Sequence, residues 1–205
     1  MVVEQHLHKR LLHICYKHHL HHLGSYFSSI DIINNIFANK LSDDIFILSN
    51  GHAAVALYVV LEKYYDVDAE DLLKEHGEHP KRDDRFIHCS TGSLGQGITV
   101  AVGRAIAKPN RDVHCLISDG ECHEGSVWEA LRFAWENNLA NLKIYVNANG
   151  WSAYDPVNVD YLEKRINAFH PDVKFIRTRV DHCGLPDSVA AHYMNFTEEH
   201  YEKEI

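Results

Sequence analysis

The sequence predicts an α/β fold built on a mainly parallel sheet flanked by helices on both faces. Three observations carry that expectation. Short apolar runs of strand length alternate along the chain with longer amphipathic runs, the order that layered α/β proteins show. The segment 113–146 reads as strand, helix, strand over about the ~30 residues of one βαβ unit. No repeat or low-complexity linker interrupts the 205 residues, 45% of them hydrophobic, so a single domain over 1–205 with one substantial core is expected.

The elements follow in order. Leu7, Leu11, Ile14 and Leu20 mark the apolar positions of an N-terminal helix, whose polar face carries most of the histidines that crowd the first 22 residues and is expected to be solvated. Ser28 or Ser29 is placed to cap a second helix with Ile30, Ile33, Ile36 and Phe37 on one face. Ile45-Phe46-Ile47-Leu48 is a short buried strand that runs into Ser49-Asn50-Gly51-His52, and a helix is expected from Ala53 to about Tyr64. A polar, irregular stretch, 75–88, precedes Thr91-Gly92-Ser93-Leu94-Gly95-Gln96-Gly97, which opens a small-residue helix, 98–107, where Gly103 and the alanines would allow close packing. The βαβ unit then consists of a strand at 113–117, a helix at 127–138 and a strand at 142–146.

Charge and composition exclude several function classes. With 20 Lys and Arg against 29 Asp and Glu, the net charge of −9 repels nucleic acid and anionic membrane surfaces. No apolar stretch approaches the ~18 residues of a membrane span, and the polar start has no signal-peptide core. A cytoplasmic protein is expected. The five cysteines are scattered without a C-x-x-C pair, which suits reduced thiols better than disulfides or a zinc site.

In a βαβ unit both strands point the same way, so their carboxyl ends share the sheet edge where open α/β sheets bind ligands. Asp119 follows the first of these strands and Asn149 the second, thirty residues later. Two hard oxygen donors meeting there suit Mg²⁺, which takes few protein ligands together with phosphate and water. Asp119 itself is expected at a strand end and outside the core. Gly120 leaves room for a diphosphate, and the helix beginning near Ser126 adds amide dipoles. Alone, an Asp-Gly pair is an ordinary turn. The glycine spacing at 92–97 fits neither the dinucleotide-binding nor the Walker pattern, and Glu121-Cys122-His123-Glu124 lacks the two-histidine spacing of a metalloprotease. Cys122 reads as a passive wall residue, and Trp128, Phe133 and Trp135 as core or interface aromatics.

Ser118-Asp119-Gly120-Glu121, with Glu124-Gly125 and the closing Asn149, resembles the thiamine diphosphate motif. Together with His22-Leu23-Gly24-Ser25, Ser49-Asn50-Gly51-His52, His79-Pro80 and Thr91–Gly97, all in order, it resembles the transketolase family over 22–151. The resemblance implies the thiamine diphosphate-binding fold, with thiamine diphosphate and Mg²⁺ (or Ca²⁺ or Mn²⁺) as cofactors. Asp119, Asn149 and the main-chain carbonyl of Trp151 would hold the metal, Gly120 and His52 the diphosphate, and Gly92 and Leu94 the thiamine. His22, His52 and His79 would face the substrate, binding sugar hydroxyls and moving protons. Glu124 would sit at a subunit boundary. Ser118 stands where the family has glycine, and Ser25-Tyr26 where it has Gly-Ser. For the histidine that the family places in a longer tail, either His182 or His192 could stand in, or neither.

The implied reaction is transfer of a two-carbon ketol unit from a ketose to an aldose, with the cofactor as electron sink. Nothing in the sequence resembles the pyrimidine-binding domain of the family. A separately encoded pyrimidine-binding subunit is therefore expected, in a two-plus-two heterotetramer. The alternatives are a deoxyxylulose phosphate synthase-like enzyme, a keto acid decarboxylase and a non-catalytic subunit.

Overall fold

The computed structural model describes residues 2–83, 85–198 and 201. Among them the strands β1 (Ile45–Leu48), β2 (Val113–Ser118), β3 (Leu142–Ala148) and β4 (Lys174–Arg177) form one sheet in the order β1-β2-β3-β4. Every pairing is parallel, as expected. The helices are α1 (Val2–Lys17), α2 (Leu23–Asn39), α3 (Ala54–Tyr64), α4 (Ala69–His76), α5 (Gly97–Ala107), α6 (Gly125–Glu136) and α7 (Val159–Phe169).

Strand side chains alternate between faces, and the sequence makes both faces apolar. Phe46, Leu48, Leu116 and Tyr145 pack with α1, α2 and α3. Ile45, Ile47, Cys115, Ile117, Ile144 and Val146 pack with α5, α6 and α7. Helices therefore cover both faces of β1, β2 and β3, which are buried almost throughout, while the edge strand β4 keeps Lys174 and Arg177 exposed.

Several local expectations are corrected. The second helix starts at Leu23 and not at Ser28 or Ser29; His22 is its N-cap residue, in left-handed backbone geometry and with no side-chain cap bond. Its entry is fixed instead by the tail, because the His22 amide donates to the His192 carbonyl at 2.9 Å. Ser28 and Ser29 lie buried inside α2 and accept from the Asn147 side chain at 2.9 and 3.0 Å. The irregular stretch begins later than expected because α4 runs through His76; Asp68 caps the start of that helix by accepting from the Glu70 and Asp71 amides. Gly103 faces open space and makes no close helix packing; Ala101 and Ala105 are the residues that α5 buries.

The N-terminal histidines are not uniformly solvated. His6, His19 and His21 are exposed, but His8 meets Asp31 at 3.0 Å, His13 meets the Tyr201 hydroxyl at 3.0 Å and His18 meets Glu70 at 2.9 Å. Polar residues on the inner edge of α1 thus find partners on neighbouring elements. Among the described residues no helix is long and apolar enough to cross a membrane.

Candidate active site

The parallel register brings three strand ends to one edge. Ser118 pairs with Asn147, so Asp119 and Asn149 leave adjacent strands side by side. Asp119 accepts from the Gly120 amide at 3.0 Å through Oδ1 and from the Gly150 amide at 2.7 Å through Oδ2. Asn149 accepts from the Trp151 amide at 3.0 Å and donates to Ser28 Oγ at 3.2 Å. A Cβ built on Gly120 would lie 3.2 Å from the Ser152 Cα and 3.5 Å from the Trp151 carbonyl oxygen. The Asp119 carboxylate, the Asn149 amide oxygen and the Trp151 carbonyl therefore gather around a glycine that has no side chain.

Asp119 is fully buried, which corrects the expectation that it stands outside the core. Burial pushes its carboxyl up to about 7, against backbone N–H groups of Gly150 and Gly120 that act to lower it. A buried carboxylate whose main counterweights are amides, beside two neutral oxygen donors, is a donor set that a hard divalent cation fits.

A cavity of about 190 Å³ opens beside these residues, and His22, His52, His79, Gly92, Leu94, Gly120, Asn149 and Trp151 all line it. The His22 ring lies 5.6 Å from that of His52 and 6.0 Å from that of His79. His52 is positioned by the 3₁₀ turn Gly51–Ala53 after β1. His79 packs under Gly92, whose backbone φ of +149° and open α-carbon leave 2.9 Å between a Cβ there and the imidazole. A larger depression of about 390 Å³ lies at the amino ends of β3 and β4, lined by Trp135, Lys143 and His170. It sits at the sheet edge opposite to the strand ends just described.

The tail reaches the same cavity. His192 lines the cavity with Tyr193 and Ser25, and Ser25 Oγ lies 3.0 Å from its Nδ1. His182 is elsewhere, stacked on Phe27 at 6.1 Å. Glu124 is exposed and does not line the cavity; its Cβ instead crowds Gly95, where an added Cβ would come within 2.7 Å. Glu121 is fully buried, and its carboxylate reaches Ser49 Oγ and the Gly95 amide, both at 2.8 Å. Sequence reasoning missed Glu121 because a carboxylate beside a metal motif reads as loop polarity until three loops are seen to converge on it. The Ser25-Tyr26 departure was the available signal for the tail contact: Ser25 holds His192, and the Tyr26 hydroxyl donates to Glu78 at 3.0 Å.

Burial shifts three of these imidazoles, His22, His52 and His192, toward the neutral form. Burial lowers His52 to about 3, aided by the charges of His22, His192 and His79, and lowers His192 to about 4. His22 is lowered by burial, while the Glu78 carboxylate opposes the shift. A base whose folded pKa is depressed contributes stability above its unfolded value that is lost as pH falls toward the folded value. For His52 the window runs from the ordinary value of 6.5 down to about 3, and at pH 4 the loss amounts to about 3 kcal/mol. Urea unfolding at pH 7 and pH 4 should therefore show a stability gap about 3 kcal/mol smaller in His52→Gln than in the unmodified chain. The raised carboxyls of Asp119 and Glu121 act with the opposite sign in both proteins and cancel from the comparison. An equal gap in the two would refute the burial of a neutral His52.

The family model for the transketolase thiamine diphosphate binding domain matches residues 23–178. The chain belongs to the transketolase family. Human transketolase is 39% identical over 142 residues, 62% of this chain and 23% of that protein. One of the subunits of the apulose-4-phosphate transketolase of Phocaeicola vulgatus is 30% identical over 189 residues, covering 80% of this chain and 67% of that one. A Pichia stipitis transketolase structure in complex with sedoheptulose-7-phosphate superposes on 100% of this chain and 41% of its own, with a TM-score of 0.72 at 19% identity, which speaks for the fold. The chain thus spans about a quarter or less of the animal transketolases it matches, 21% and 23% of two human proteins.

Proposed function

We propose that this transketolase-family chain binds thiamine diphosphate with Mg²⁺ and transfers a two-carbon ketol unit from a ketose to an aldose, together with a separate pyrimidine-binding subunit. The observation that carries the reading is the convergence of His22, His52, His79 and His192 with Gly92, Leu94, Gly120 and Asn149 on one cavity, next to the buried Asp119. The partner is supported by likeness to a bacterial transketolase chain that is itself named as a subunit, and a two-plus-two assembly is the arrangement we propose. The exposed Glu124 is offered toward that partner.

Asp119, Asn149 and the Trp151 carbonyl would hold the cation, and Gly120 would admit the diphosphate. Leu94 and Gly92 would bound the thiamine. Bound thiamine diphosphate supplies the electron sink for breaking the carbon–carbon bond beside a ketose carbonyl. The protein's part is binding, orientation and proton placement. His52 and His192, neutral at physiological pH, hydrogen-bond sugar hydroxyls without carrying charge. His22, lowered by burial with Glu78 opposing the shift, would take up a proton at its ring nitrogen.

Titration of the full chain with thiamine diphosphate should show Mg²⁺-dependent binding, and addition of the pyrimidine-binding subunit should give ketol transfer from a ketose phosphate. Binding without turnover in the assembled pair would favour the non-catalytic role instead. Absence of Mg²⁺-dependent binding would overturn the reading.

A further inference from the structure

Glu121 is a fully buried carboxylate with no place in the chemistry above. It sits in the 3₁₀ turn Gly120–His123, just after Asp119. One oxygen, Oε1, accepts from Ser49 Oγ at 2.8 Å and from the Gly95 amide at 2.8 Å, and Oε2 accepts from the Ser118 amide at 3.2 Å. Those donors belong to three separate segments: the end of β1, the loop before α5 and the end of β2.

The ties continue outward. Ser49 Oγ also accepts from the Ile98 amide at 3.1 Å, in the first turn of α5, and Ser126 Oγ at the start of α6 donates to the Gly95 carbonyl at 2.9 Å. Glu121 does not line the cavity, but residues on both sides of it do: Leu94, next to Gly95, on one wall, and Ser118 and Gly120 on another. Three donors face this side chain, so an acceptor-only group is required to satisfy them all. Glutamine has one acceptor oxygen for donors on two sides. Turned to Ser118, it sets its amide nitrogen against the Gly95 N–H and breaks the tie to the Leu94 wall; turned to Ser49 and Gly95, it sets it against the Ser118 N–H and strains the same latch. A buried unmet donor is costly.

We infer that Glu121 is a positioning residue: it fixes the distance between the Leu94 wall and the Gly120 floor, and thereby selects a ligand that spans both. The inference rests on the proposed reading that these two walls receive the thiamine and diphosphate parts of one cofactor. It gives a signature that a general structural role lacks. A ligand that needs only the floor should be indifferent to the latch, whereas one that needs both walls should not.

The test compares two probes on the full chain, Mg²⁺ with inorganic diphosphate and Mg²⁺ with thiamine diphosphate, by titration calorimetry. Glu121→Gln is expected to lose at least tenfold in affinity for thiamine diphosphate while changing less than about threefold for inorganic diphosphate, the tenfold loss being of the size found when a supporting hydrogen bond around a site is removed. Ser49→Ala lies outside the cavity and removes one of the three donors to Glu121 together with the acceptor of the Ile98 amide; it should show the same selectivity at smaller amplitude, and it carries the test should Glu121→Gln fail to fold. Equal losses for both probes, or no loss for either, would overturn the inference. Failure of the unmodified chain to bind either probe would instead strike the underlying cofactor reading, and the inference with it.

Discussion

Asp119→Asn is expected to weaken Mg²⁺-dependent binding of thiamine diphosphate by at least about 100-fold, since loss of a supporting partner alone costs about 10–100-fold and this change removes the charged donor itself. Asparagine nearly preserves the volume and keeps one oxygen, so one of the two amide bonds from Gly120 and Gly150 can persist. What disappears is the negative charge. The sign of the stability effect separates binding from folding. A carboxyl raised to about 7 contributes stability at low pH that is lost as pH rises through that value. At pH 8, without cation, the carboxylate is an unneutralised burden that asparagine lacks, which offsets the amide bond lost. Thermal melting of the metal-free variant at pH 8 should therefore stay close to that of the unmodified chain while binding collapses. Full affinity in the variant would remove the metal assignment, and a parallel fall in melting temperature and binding would mean that the side chain serves folding alone.

The parts of the site that were legible in the sequence are those carried by strand ends. Apolar runs such as Ile45–Leu48 and Val113–Ile117 announce themselves, and the parallel arrangement that follows forces Asp119 and Asn149 to one edge. The motif around Gly120 then needs only the geometry of a βαβ unit. Less legible was whatever depends on the path of loops. His192 lies 170 residues beyond His22 in the chain, and no local pattern says that the tail returns to offer its carbonyl to the His22 amide. The start of α2 was misplaced for the same reason: a long-range backbone contact fixes the helix entry, while the two serines that look like caps bond to Asn147. Burial of Asp119 and Glu121 was equally invisible, because hydrophobicity patterns place carboxylates at the surface unless the donors that satisfy them are already in view.

Gly51→Ala should disrupt the site strongly through a single methyl. A Cβ there would come within 2.6 Å of the Thr91 carbonyl carbon, 2.7 Å of the Gly92 amide nitrogen and 2.7 Å of the Thr91 oxygen. All three are backbone atoms, so no side chain can swing aside. Thr91 cannot retreat easily either, because its hydroxyl donates to the Leu48 carbonyl at 2.7 Å and so pins the loop to β1. Overpacking of this kind costs about 3 kcal/mol or more, or roughly 6–12 °C in melting temperature for a chain of this size. The displaced atoms adjoin His52 and Gly92 on the cavity wall, so thiamine diphosphate binding should be lost even in the fraction that folds. Gly103→Ala supplies the contrast: nothing lies within 4 Å of its added methyl, and in a helix interior alanine is favoured over glycine by about 0.5–1 kcal/mol. Differential scanning calorimetry of the pair should move the two melting temperatures in opposite directions. Were Gly51→Ala to melt with the unmodified chain, the close approach of β1's exit turn to the Thr91–Gly92 loop would be refuted, and with it the placement of His52 against the cofactor side of the cavity.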